Sequence, residues 1–337
     1  MIIIFNGVGI MGLHTVFNDN LTGPQDIYDL LERGQITPSE AVALFIKFEE
    51  CKDNLPFPAN SKDKPVSIDE IMKELDSLIG LTKVKKLVKE LRAFIEIQKC
   101  REKEGLTTEP LVMHMIFKGN PGTGKTTVAR ILGNIFKEMG LLQKGHLVEV
   151  ERADLVGEYI GHTAQKTREQ IKKALGGILF IDEAYSLARG GEKDFGKEAI
   201  DTLVKAMEDY KDNLILILAG YEKEMEDFLK SNPGLKSRFP IHIDFTDYSI
   251  DELMEIAKLM LDKREYKLSD TAFNILKEIL LKQKYKNQDK LGNARLVRNL
   301  IEKAIRRQAV RLVQQKGVTR EDLMLITEDD IRGVEEE

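Results

Sequence analysis

Gly119-Asn120-Pro121-Gly122-Thr123-Gly124-Lys125-Thr126 is the stretch that decides how this chain folds. It satisfies GxxxxGK[ST] at every fixed position, follows an apolar run (Met115–Lys118) and opens a helical pattern (Thr127–Phe136). That strand–loop–helix order is the context in which the motif cradles phosphates. Its glycines tolerate positive φ, so backbone N–H groups can close around β- and γ-phosphates. The helix start adds about half a positive charge. Lys125 is expected to neutralise phosphate charge and the Thr126 hydroxyl to ligate Mg²⁺. Gly119 to Gly124 and Thr127 complete a predicted ATP cradle.

Outward from this loop, short apolar runs alternate with helical segments: Val112–Phe117, His146–Glu149, Ile178–Ile181, Leu214–Ala219 and Ile241–Phe245. Such runs predict an α/β fold with a parallel five-stranded sheet covered on both faces. The run through Ile181 ends in Asp182-Glu183. At the C-terminal edge of a parallel sheet these carboxylates would lie beside the phosphates. Asp182 would hold Mg²⁺, and Glu183 would orient and deprotonate the attacking water. After Phe245 the pattern is helical (Ser249–Asp262, Asp270–Lys284, Ala294–Gln315), which predicts an all-α lid. The divisions expected are an N-terminal segment (1–60), a linker and helix start (61–75), an α/β ATPase domain (76–247) and a lid with a tail (248–337).

The chain has 337 residues, enough for two or three cores. Its 51 basic and 56 acidic residues leave a net charge of −5, which argues against a nucleic-acid coat or a binder of anionic membranes. Cys51 and Cys100 have neither disulfide-framework nor zinc-site spacing, and a reduced cytoplasmic setting is expected. Met1–Gly12 is too short to cross a bilayer and lacks a basic leader, so no membrane insertion is expected. Gly7-Val8-Gly9-Ile10-Met11-Gly12 is formally a GxGxxG, but neither the required helix nor a second strand follows it. Thr37-Pro38-Ser39-Glu40 reads as a capping box opening a helix through Phe48. Arg306, Arg307 and Arg311 read as a solvated or intersubunit face; no aromatics interleave there to stack bases.

Five stretches together carry a family resemblance: GNPGTGKTTVAR (119–130), ERADLVGEYIGHTAQKTRE (151–169), GGILFIDEAYSLARGGEKDFGKEAIDTLVKAMED (176–209), LILAGY (216–221) and NPGLKSRFPIHIDF (232–245). They resemble the AAA+ ATPases, in the group that includes red-type Rubisco activases and a sporulation ATPase. The resemblance runs from about Leu75 to Val313. It implies a homo-oligomeric ring, usually a hexamer, with ATP and Mg²⁺ bound between subunits. It also implies that Arg238 is an arginine finger reaching a neighbour's ATP, and that Arg295, in Gly292-Asn293-Ala294-Arg295, touches the γ-phosphate from the lid. Ile79 and Gly80 would line the adenine pocket. Tyr159-Ile160-Gly161 would be a pore loop gripping a client polypeptide. The usual polar γ-phosphate sensor has no counterpart in Ala219-Gly220-Tyr221. The implied activity is Mg²⁺-dependent ATP hydrolysis that remodels or threads a client protein, with sporulation as one setting. Two rivals are a motor acting on nucleic acid, opposed by the acidic balance, and a slow nucleotide-gated scaffold, opposed by the intact Lys125, Asp182, Glu183 and Arg238.

Overall fold

The computed structural model describes residues 67–108, 112–159, 161–189, 195–286 and 292–332, with four earlier positions. The loop at 7–12, the helix expected from Pro38 to Phe48, Cys51 and Ile160 lie outside the described residues. The chain divides into two units, Met1–Val66 and Ser67–Glu337, and the second is described below.

Two helices lead into the sheet. Helix α1 (Ile68–Ser77) starts at the Ser67 capping box, where Ser67 and Glu70 exchange side-chain-to-backbone bonds of 3.0 and 3.2 Å. Helix α2 spans Thr82–Lys103 and buries Val84, Val88 and Ile95. The α/β layer follows: β1 (Met115–Gly119), α3 (Lys125–Glu138), β2 (Leu147–Val150), α4 (Arg152–Leu155), α5 (His162–Ala174), β3 (Ile178–Ile181), a 3₁₀ turn (Ala184–Ala188), α6 (Gly196–Asp209), β4 (Ile215–Gly220), α7 (Glu222–Ser231), α8 (Pro233–Lys236) and β5 (Ile241–Phe245). The sheet order is β2-β3-β4-β1-β5, and each pairing is parallel.

Alternation along each strand divides the core between two faces. Met115, Phe117, Phe180 and Ile217 pack with Leu132 and Phe136 of α3 and with Leu75, Val88 and Ile95 of the leading helices. Ile116, Leu179, Ile181 and Leu218 face the other way, onto Ile171, Leu203 and Phe228. Strands β3 and β4 are buried along their whole length, which is why they read as unbroken apolar runs. At roughly 2 kcal/mol per buried large side chain, these two faces are the main source of stability.

The lid contains α9 (Ile250–Asp262), β6 (Lys267–Leu268), α10 (Asp270–Lys286), α11 (Asn293–Val313), α12 (Arg320–Met324), β7 (Leu325–Ile326) and α13 (Glu328–Arg332). Leu253, Ala257, Leu276, Leu280, Val297 and Ile301 form its core. The lid is helical as expected, with one addition: β6 and β7 make a two-residue parallel pairing. Arg311 departs from the sequence reading. Its guanidinium forks onto buried Asp330 (Nε–Oδ1 3.0 Å, Nη2–Oδ2 2.9 Å) and pins α13 to α11, so it serves its own lid rather than an outward face. Among the described residues, no helix is long and apolar enough to cross a membrane.

Candidate active site

The loop from Gly119 to Gly124 has the backbone the motif requires. Gly119, Gly122 and Gly124 have φ of 151°, 71° and 98°, and a Cβ at Gly119 would come within 2.2 Å of the Phe245 carbonyl oxygen. Glycine there lets β5 close against the loop. Thr123 is fully buried, and its hydroxyl donates to the Asn120 carbonyl at 2.8 Å. Lys125, the first residue of α3, folds back so that Nζ donates to the carbonyls of Gly119 (2.8 Å) and Asn120 (2.9 Å). Burial holds its pKa below the usual lysine range, opposed by the charges of Asp182, Asp247 and Glu183 and assisted by Arg295. The motif lysine, the strand-end carboxylates and the lid arginine therefore share one electrostatic field. Pro121 sits mid-loop; Asn120 turns its side chain to Asp247 and leaves its backbone to the cradle.

Asp182 follows β3 directly, and its backbone N–H continues the sheet by donating to Val150 at 3.0 Å. Its carboxylate accepts the Glu183 N–H at 3.0 Å. Glu183 is exposed and in the left-handed region (φ 45°), a conformation that costs a non-glycine residue roughly 1 kcal/mol. Tyr185, buried on the 3₁₀ turn, has its phenol pKa raised by burial and by the nearby Glu183. Its ring lies against Gly220, where a Cβ would approach within 2.8 Å, and 6.1 Å from the Tyr221 ring. The Ala219-Gly220-Tyr221 corner is thus filled by an aromatic ring from the adjacent turn. Thr126 contacts Glu149 of β2 (3.4 Å), which also pairs with Arg130 at 3.5 Å; Thr127 is exposed one residue further along α3.

Thr126 and Asp182 offer oxygen donors of the kind Mg²⁺ prefers. Among the described residues no group of three or more His, Cys, Asp or Glu could hold an ion unaided.

The lid meets this site directly. Gly122 abuts the lid segment: a Cβ there would lie 2.4 Å from the Gly292 carbonyl oxygen and 2.7 Å from the Arg295 nitrogen. Gly80 (φ 64°) and Leu81 (φ 55°) link α1 to α2; Gly80 lies against Tyr248 and Glu252, and Leu81 lies beside Gly124. Ile79 packs onto the lid core. The two residues expected at the adenine pocket therefore border the lid, and Leu81 beside them borders the loop.

Arg238 lies elsewhere. Ile241 pairs with Met115 and Phe245 with Gly119, so β5 begins at the end of the sheet opposite the phosphate loop, roughly 13 Å away along the strand. Arg238 precedes that start. It bonds Glu208 of α6 (Nη2–Oε1 2.6 Å, Nε–Oε1 3.2 Å) and the Gly234 carbonyl (2.9 Å). Tyr159 is 67% exposed; its ring touches His162 edge-on at 5.6 Å. Gly161 (φ 84°) starts α5 with open space where a Cβ would project. Sequence reasoning did not single out Asp247, Tyr248, Tyr185, Glu208 or Glu149. Asn293 was visible inside the Gly292–Arg295 motif, but its role was not.

Comparison with known proteins agrees with this fold. Residues 115–247 match the model of the "ATPase family associated with various cellular activities (AAA)", and 249–337 match the AAA lid domain. Stage V sporulation protein K of Bacillus subtilis (strain 168) is 60% identical over 270 residues, 80% of this chain and 84% of that protein. The chloroplastic ribulose bisphosphate carboxylase/oxygenase activase of Cyanidioschyzon merolae (strain NIES-3377 / 10D) is 44% identical over 272 residues, 80% of this chain and 92% of that protein. A point mutant of Thermotoga maritima RuvB superposes with a TM-score of 0.50 at 21% identity, covering 81% of this chain and 73% of that one, a likeness of fold alone. A phosphate loop, strand-end carboxylates and a helical lid on one parallel sheet, with these relatives, place the chain in the AAA+ ATPase family.

Proposed function

We propose that this ATPase works as a closed ring, a hexamer by family habit, that uses Mg²⁺-dependent ATP hydrolysis to remodel or thread a client protein. One observation carries the ring: Arg238 sits at the opposite end of the sheet from its own phosphate loop and cannot serve it. A head-to-tail neighbour whose pocket faces that end can receive it.

The chemistry follows from the chain's own groups. The loop N–H groups and Lys125 bind the β- and γ-phosphates. Thr126 and Asp182 hold Mg²⁺, which when bound neutralises charge on the phosphate oxygens. Glu183 takes a proton from a water as its oxygen adds to the γ-phosphorus and the bond to the ADP oxygen breaks. Arg238 of a second copy stabilises charge in the transition state, an effect on the order of 10³–10⁵ in rate. Arg295 contacts the γ-phosphate from the lid, and Ile79 and Gly80 flank the base. Exposed Tyr159 with Ile160 and Gly161 grips an extended polypeptide in the channel. Likeness to a protein named for sporulation supports a sporulation client, and likeness to an activase supports remodelling as the work done.

Mixing inactive variants tests the shared site. Arg238→Ala subunits keep the pocket and Lys125→Ala subunits keep the arginine, so random mixing recreates a complete junction at about one position in four. Turnover should return on mixing. A mixture as inactive as its components, or wild-type turnover that is independent of dilution, refutes the ring mechanism.

A further inference from the structure

Every carbonyl from Gly119 to Gly124 accepts a hydrogen bond from within the chain. Lys125 takes the first two, and Gly124 accepts the Val128 N–H. The three between them draw their donors from the lid and the hinge before it. Asn293 Nδ2 donates to the Pro121 carbonyl at 3.3 Å, the Ala294 N–H to Gly122 at 3.1 Å, and the Tyr248 hydroxyl to Thr123 at 3.2 Å. In a planar trans peptide the N–H points opposite to the carbonyl. Fixing these three carbonyls on the lid side therefore orients the N–H groups of Gly122, Thr123 and Gly124 away from it, as an anion-binding nest needs.

The donors are themselves held. Asn293 is fully buried at φ 46°, a conformation that asparagine tolerates better than most residues. Its Oδ1 accepts the Tyr248 N–H at 3.0 Å, and its Nδ2 also donates to Asp247 at 2.7 Å. Asp247 then accepts from Asn120 Nδ2, with both carboxylate oxygens at 3.0 Å. One carboxylate thus ties an amide of the loop to an amide of the lid.

We propose that Asn293, Asp247 and Tyr248 are positioning residues that hold the phosphate loop in its anion-binding form from the lid side, so that lid placement and polyphosphate affinity are a single equilibrium. By linkage, whatever displaces the lid weakens the grip on phosphate, and phosphate binding draws the lid in by the same factor. This rests on the reading of the loop as an ATP site and adds the part that sets its affinity.

Three variants of the full chain test it. Tyr248→Phe removes only the hydroxyl. Asn293→Gly permits the same backbone while deleting the side-chain bonds. Asn293→Asp sets two carboxylates against each other, and adding Asp247→Asn restores a donor between them. Affinities for ATP and for tripolyphosphate are read by displacement of a fluorescent ADP, and exchange of the loop amides by hydrogen exchange without nucleotide. Asn293→Gly should lose about 10- to 100-fold, and Tyr248→Phe about 3- to 10-fold, for both ligands alike. Loop exchange should quicken in each. The Asn293→Asp loss should be partly recovered in the double variant. A merely structural role would lower melting temperature without changing these ratios. Wild-type affinity in folded Tyr248→Phe, no recovery in the double variant, or lost affinity with unchanged loop exchange overturns the proposal and leaves the ATPase assignment standing. Failure of the wild-type chain to bind ATP or tripolyphosphate overturns the ATP-site reading itself. If Asn293→Gly does not fold, Tyr248→Phe decides alone.

Discussion

Acidification from about pH 7.5 to about pH 5 should weaken the fold through one buried side chain, His114. It is 4% exposed at the entrance to β1; Nδ1 accepts the Leu216 N–H at 3.0 Å, and the ring lies 5.9 Å from Phe239. Burial pushes its pKa from 6.5 down to about 4, with the Met207 backbone opposing. Nδ1 cannot accept that bond once protonated, so the folded chain keeps the imidazole neutral. An unfolded chain protonates it near 6.5. The unfolded state therefore binds the extra proton, and stability falls as pH drops below 6.5. At 1.36 kcal/mol per unit, the loss is about 2 kcal/mol at pH 5 and approaches about 3.4 kcal/mol below pH 4. Urea unfolding of wild type and His114→Asn at both pH values isolates this contribution, because the other titrating groups are common to both. The wild type should lose about 2 kcal/mol more than the variant between the two pH values. Equal losses would refute the assignment of a buried neutral imidazole.

Glu183→Gln preserves shape and should keep ATP affinity while slowing turnover by at least about 100-fold; phosphate release at the wild-type rate would contradict its role as base. Tyr159→Ala removes a ring whose described contact is with His162. ATP affinity should be retained while stimulation of hydrolysis by an unfolded polypeptide disappears, and undiminished stimulation would exclude the tyrosine from client contact.

The phosphate loop was legible because its chemistry is contiguous: positive-φ glycines, a lysine and a hydroxyl all fall within eight residues. Strand β3 was readable to the residue because full burial leaves the run Ile178–Ile181 with few alternatives, and β5 because exposed His242 and Asp244 alternate with Ile241, Ile243 and Phe245 at the two-residue period of a strand. The carbonyl clamp was not legible. Asn120 meets Asp247 across 127 positions and Asn293 meets Pro121 across 172, and no local periodicity encodes such a contact. The β6–β7 pairing escaped for a similar reason, since two residues per strand leave no alternating pattern to recognise. Arg311 was misread because composition shows a basic cluster but not the buried carboxylate on α13 that one member serves.

The placement of Arg238 has a consequence for counting. In an open row of subunits joined end to end, one terminal pocket has no neighbour's guanidinium, and at the other end one guanidinium has no pocket. Joining the two ends creates one more working junction without any new residue. Losing a single subunit from a closed circle removes a pocket and an arginine at two separate seams. Output per polypeptide on the proposed reading therefore rises with concentration until circles close, and stalls when they break.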